Sequence, residues 1–130
     1  MSQQIILTFE QADLLSQLEA LDDSGIDLLD FGVIGFDAND VICRYNAYES
    51  RAASFVPEKA LGRPLFTVVA QCMNNYLVAQ RFDDARNENK PLDATINYVL
   101  TWSMRPTNVK LRMLSSPEYS TRYVLLHHLS

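Results

Sequence analysis

The sequence predicts an α+β fold: a five-stranded antiparallel sheet with short helices and one longer helix packed on one side, plus an N-terminal helix. Three observations carry that expectation. The last third alternates apolar and polar residues through ATINYVLTWSM, VKLRML and TRYVLLHH, each bounded by turn residues. Two earlier short runs, FGVIGF and VICRYN, are separated only by DAND, which has the composition of a tight turn. Between these two groups the apolar residues fall at helical spacing, and 130 residues of which 48% are apolar suffice for one core.

In residues 9–21, Leu14, Leu15, Leu18 and Leu21 form a helical stripe with Glu and Gln between them, and the Asp22-Asp23-Ser24-Gly25 cluster ends it. We expect residues 1–24 to be a helical cap and 25–130 the sheet domain. Being separated from the core by that turn, the cap is expected to be the most loosely held element, either lying across the sheet or supplying a homodimer contact. FGVIGF and VICRYN are expected to form a hairpin. Strict period two along the second strand puts Val41, Cys43 and Tyr45 on one face, which makes Cys43 a small buried residue beside Tyr45.

Asn46 opens the next helix with Glu49 three residues on, the pattern of a capping box. A capping glutamate turns back to the amide of Asn46, whereas a ligand-binding one points inward and can stay protonated in a dry pocket. Pro57 is expected to stop that helix, Gly62 to follow a single turn at PEKAL, and Asn74 or Asn75 to cap the longer helix from Tyr76 to about Asn89. In the third strand Ala94, Ile96, Tyr98, Leu100, Trp102 and Met104 share one face.

The net charge of −5 and the pI near 4.8 argue against a nucleic-acid or anionic-membrane surface, and the 11 basic residues are scattered. No apolar run approaches the ~20 residues of a membrane span. The N-terminus MSQQIILTFEQ lacks a basic segment, so no export signal is expected and the cytosol with reduced thiols is. His127 and His128 are strand neighbours whose rings point to opposite faces, and Cys43 and Cys72 belong to no metal-binding spacing, so no metal site is expected. Neither a nucleophile elbow nor a Gly-rich phosphate loop is present, and no enzymatic activity is expected.

The segment YNAYESRAASFVPEKALGRPLFTVVAQC, from Tyr45 to Cys72, holds a phenol, a carboxylate four residues later and a thiol. It resembles the photoactive yellow protein family, light sensors of the PAS fold. The likeness extends through LDD at 21–23, FGVI at 31–34, LGRPLF at 61–66 and MRPTNVKLRM at 104–113. The resemblance implies a 4-hydroxycinnamate (p-coumarate) thioester on Cys72, with Tyr45 and Glu49 hydrogen-bonded to its phenolate and Glu49 as proton donor. It implies Phe55, Tyr98 and Met104 as further pocket residues. Ala53 stands where the family has a threonine, Phe55 where it has an arginine and Gln71 where it has a proline. The implied function is that of a small sensory protein acting on a downstream signalling protein. Two other readings fit the same residues: a PAS module binding another small aromatic or acyl ligand, and a chromophore-free interaction module.

Overall fold

The computed structural model describes residues 7–101 and 106–129. β1 (Gly32–Phe36) and β2 (Ile42–Tyr45) form the expected hairpin, and β3 (Leu92–Leu100), β4 (Thr107–Ser115) and β5 (Arg122–His128) follow after the helices. They join in one antiparallel sheet of order β2-β1-β5-β4-β3. The first and last strands of the domain are thus neighbours, and His128 at the end of β5 extends past Gly32, the start of β1, with Val109 of β4 as its register partner.

Helices cover both faces. On one lie α3 (Ala47–Ala53), α4 (Pro57–Ala60), a wide helical turn at Leu65–Val69, a short 3-10 turn at Gln71–Met73 and α5 (Ala79–Asn87). Under them the core contains Ile34, Phe36, Leu65, Phe82, Leu111 and Leu126. The alternation in β3 is as expected over its described length: Ala94, Ile96 and Tyr98 pack on this core while Thr95 and Asn97 are exposed. Trp102 and Met104 lie outside the described residues. α3 ends at Ser54, in the left-handed conformation with φ 52°, before Pro57 is reached. Pro57 instead opens α4, where its missing amide hydrogen leaves no bond unmade.

α1 (Leu14–Ala20) and α2 (Asp23–Ile26) cover the opposite face, where Leu14, Leu18, Ile26, Phe31, Val33 and Tyr123 form a second core. The leucine stripe therefore lies across the sheet and has a cover within its own chain. Leu14 and Leu18 are fully buried. Polar ties reinforce the packing: the Arg44 guanidinium donates to the carbonyls of Leu18 and Leu21 at 2.8 and 2.6 Å. Arg112 donates to the carbonyls of Phe9 and Gln11 while forming a two-pronged pair with Asp93 at 2.9 and 2.8 Å. The Arg44 bonds fall on carbonyls at the C-terminal end of α1 and the Arg112 bonds on carbonyls of the segment before it, so both ends of the stripe are tied to the sheet.

The parity of β2 departs from strict alternation. Ile34 pairs with Tyr45, Gly35 with Arg44 and Phe36 with Ile42, so Cys43 is an extra residue opposite the Gly35–Phe36 step, a β-bulge. One added residue inverts the alternation across it. Ile42 and Tyr45 consequently share the helix-covered core and Arg44 points to the other face. Cys43 is exposed, not buried beside Tyr45. Burial of its surroundings still raises the thiol's pKa, with Asp37 adding to the rise.

Candidate functional site

Asn46 sets the geometry of the site. Its side chain is fully buried, and its Oδ1 accepts from Glu49 N at 3.2 Å, capping α3, and from Val33 N at 2.9 Å. Its Nδ2 donates to the carbonyls of Ile26 and Phe31, both at 2.9 Å. The backbone amide of Asn46 donates to Val33 O at 3.1 Å. That amide is the group a reciprocal capping glutamate would bind, and β1 has taken it. Glu49 therefore does not complete the box. It turns inward, fully buried, with Oε1 3.0 Å from His128 Nε2.

Two buried polar atoms of this region have no hydrogen-bond partner among the described residues: the Tyr45 hydroxyl and Glu49 Oε2. Such atoms are uncommon in folded proteins and costly to leave unmade. Burial raises the Tyr45 pKa far above its ordinary value, with the Glu49 charge contributing, so the phenol is a neutral donor at any physiological pH. Burial likewise raises the Glu49 pKa, and the hydrogen bond and charge of His128 pull the other way. Beside Tyr45 lies a cavity of about 110 Å³ lined by Tyr45, Ala53, Phe55 and Val69. The Phe55 ring meets the Tyr45 ring edge to face, with centroids 6.4 Å apart. Ala53 matters here by its size, because a methyl group leaves open the volume that a longer side chain would fill.

Cys72 sits in the turn after Val69, half-buried and packed against the helix-covered core. Its backbone is fixed by two residues: the Tyr98 hydroxyl donates to Cys72 O, and Asn75 Nδ2 donates to the same carbonyl at 3.1 Å and to the Tyr98 hydroxyl at 2.7 Å. Asn75 Oδ1 also accepts from the amides of Leu77 and Val78, which leads the chain into α5. Of the expected site residues, Tyr45 and Phe55 face the cavity and Glu49 is buried one helical turn beyond Tyr45. Tyr98 grips the backbone of Cys72 with its hydroxyl, and Met104 lies outside the described residues. Cys72 is not among the cavity's lining residues. His128 is a residue that sequence spacing does not flag, since it reaches Glu49 only through the β1–β5 pairing.

The Glu49 shift has a measurable sign. A carboxyl whose pKa in the folded chain lies above its unfolded value binds its proton more tightly when folded. Its contribution to stability is full below the unfolded value and is lost as pH rises through the folded one. Unfolding free energy, measured by urea denaturation between about pH 4 and 8, is therefore expected to fall with pH over a segment that Glu49→Gln flattens. Parallel profiles for the two proteins would mean that Glu49 ionises freely.

Among the described residues no group of His, Cys, Asp and Glu side chains could hold a metal ion, and no helix is long and apolar enough to cross a membrane. No family model matches the sequence. The chain is 32% identical over 108 residues to the photoactive yellow protein of Rhodothalassium salexigens, covering 83% of this chain and 86% of that one. The protein of the same name from Halochromatium salexigens is 31% identical over the same coverage. Among solved structures, the photoactive yellow protein domain of the sensor histidine kinase Ppr from Rhodospirillum centenum aligns with a TM-score of 0.78 and 31% identity, over 86% of this chain and 97% of that one. A PAS domain from a two-component sensor histidine kinase aligns with a TM-score of 0.58 at 14% identity, covering 92% of this chain and all of that one, a likeness of fold.

Proposed function

The chain belongs to the photoactive yellow protein family, and from that premise we propose that it is a light-sensing PAS protein carrying 4-hydroxycinnamate as a thioester on Cys72. The observation that carries this reading is the pair of unpartnered buried groups, the Tyr45 hydroxyl and Glu49 Oε2, the first of them on a residue that lines an aromatic-walled cavity. A phenolate oxygen accepts from two such donors, and the residues present fit it. Bound there, the cinnamoyl group would supply visible absorption and a head whose charge changes with its state.

The chain's own residues have separate tasks. Tyr45, kept neutral by burial, donates without competing for the proton. Glu49 keeps its proton to higher pH than an ordinary carboxyl, so it can donate as well as bind. Phe55 walls the cavity beside Tyr45 and excludes water from the hydrogen bonds, which strengthens them. Asn75 and Tyr98 hold the Cys72 backbone in place. As a sensory module the protein hands its state to a downstream signalling protein or a second copy.

Reconstitution tests the assignment. Protein treated with activated 4-hydroxycinnamate should gain the mass of the acyl group and turn yellow, Cys72→Ala should do neither, and Cys43→Ala should behave as the wild type. Modification at Cys43, or no uptake, would overturn it. A second reading, a small phenol bound without a covalent bond, is favoured by the cavity walls, which do not include Cys72. Retention of phenol binding in Cys72→Ala would select that reading.

A further inference from the structure

We propose that His128 is the proton partner of Glu49, recharging the buried carboxyl from solvent through the Nε2–Oε1 contact at the end of β5. The proposal rests on the reading of Glu49 as the acid of the ligand site. Its geometric basis is an asymmetry of exposure. The Glu49 side chain is 0% exposed and that of His128 is 13% exposed, with 3.0 Å between them. The imidazole thus touches a fully buried carboxyl while keeping some contact with solvent, and Oε2 has no partner among the described residues.

The surroundings supply few competing charges. Tyr45 comes from the end of β2, and Tyr48 of α3 places its ring 5.9 Å from that of His128. Asp27 accepts from Ala47 N at 2.8 Å at the start of α3, and Arg51 is exposed in the helix's last turn. β1 contributes Gly32, where an added Cβ would collide with Glu49 Oε1. β4 contributes Val109, the register partner of His128, while Lys110 pairs with His127. His127 points to the other face, its ring 5.5 Å from that of Phe9. Two adjacent histidines therefore serve as test and control.

The proton count closes. After Glu49 has released its proton, the pair is a carboxylate and a neutral imidazole. One proton from solvent adds at Nδ1 and converts the imidazole to imidazolium. The proton already on Nε2 then moves to Oε1, which restores the neutral acid and leaves a neutral imidazole protonated at Nδ1. Rotation of the carboxyl turns the new O–H toward the site, and exchange with solvent returns the ring to its Nε2–H form.

His128→Gln is the discriminating variant, because an amide can still donate to Oε1 but cannot carry a proton. The measurement is made on the protein without chromophore: the infrared carboxyl band of Glu49, identified by its loss in Glu49→Gln. In His128→Gln the band should persist to higher pH, its midpoint moving up by on the order of one unit, since the cation that favoured the carboxylate is gone. Hydrogen–deuterium exchange of the carboxyl proton should slow by on the order of 10²-fold. His127→Gln should alter neither. An unchanged midpoint and exchange rate in His128→Gln would overturn the proposal. If Gln disturbs the packing, His128→Ala with added imidazole replaces it: recovery of exchange with imidazole supports the relay, and no recovery overturns it. Failure of Cys72 to take up the chromophore would sink the photoreceptor reading and leave this measurement standing, so the two failures are distinguishable.

Discussion

Replacing Asn46 by alanine is expected to cost about 4 kcal/mol of stability, because four buried backbone groups lose a hydrogen bond at once, with Ile26 O keeping Leu29 N as a donor, and each unmade bond costs roughly 1–3 kcal/mol before relaxation. The amides of Val33 and Glu49 and the carbonyls of Ile26 and Phe31 all converge on this side chain. They belong to α2, the segment after it, β1 and α3, so one amide group joins four parts of the chain inside the fold. Asn46→Asp provides the finer comparison. It keeps the acceptor for Val33 and Glu49 but turns a second acceptor toward two carbonyls, so it should be nearly as damaging as alanine. Urea denaturation measures both. A loss under 1 kcal/mol for alanine would show that water replaces these bonds.

Gly32→Ala should be the next most damaging change, by about 2 kcal/mol, the usual scale of overpacking. A Cβ at Gly32 would overlap Glu49 Oε1 and come within 3.1 Å of its Cδ. A side chain at the surface would swing away, but Glu49 is fully buried and held by His128. The methyl group therefore drives the carboxyl off the imidazole. Glu49→Ala in the same chain removes the colliding atoms, so the double variant should be less destabilised than the sum of the two single ones. Simple additivity would mean that the two residues do not meet.

Much of this architecture was legible because strands announce themselves by period two. The turn residues at DAND and the alternation in ATINYVL, VKLRML and TRYVLLHH located the strands. The three groups Tyr45, Glu49 and Cys72 were legible through family resemblance more than through spacing. Asn46 followed by Glu49 was ambiguous between cap and ligand site, because the deciding fact is that Val33 O occupies the Asn46 amide, a contact across strands. The partnership of Glu49 with His128 was hidden for the same reason: 79 residues separate them, and strand order brings them together. The cover over Leu14 and Leu18 depends on Arg44 and Arg112 reaching helical and loop carbonyls. Charge patterning along the chain does not register such contacts.

The extra residue at Cys43 lets Ile42 and Tyr45 both face the pocket side although strict alternation over their spacing would send them to opposite faces. Delete Cys43 and Tyr45, Arg44 and Ile42 would still oppose Ile34, Gly35 and Phe36, now as an unbroken ladder, so the register and both faces of β2 are kept. A scan of substitutions at position 43 should likewise be nearly silent in stability, since the residue is exposed. Position 43 is thus a spacer the strand can do without: neither its letter nor its presence decides which side chains wall the pocket.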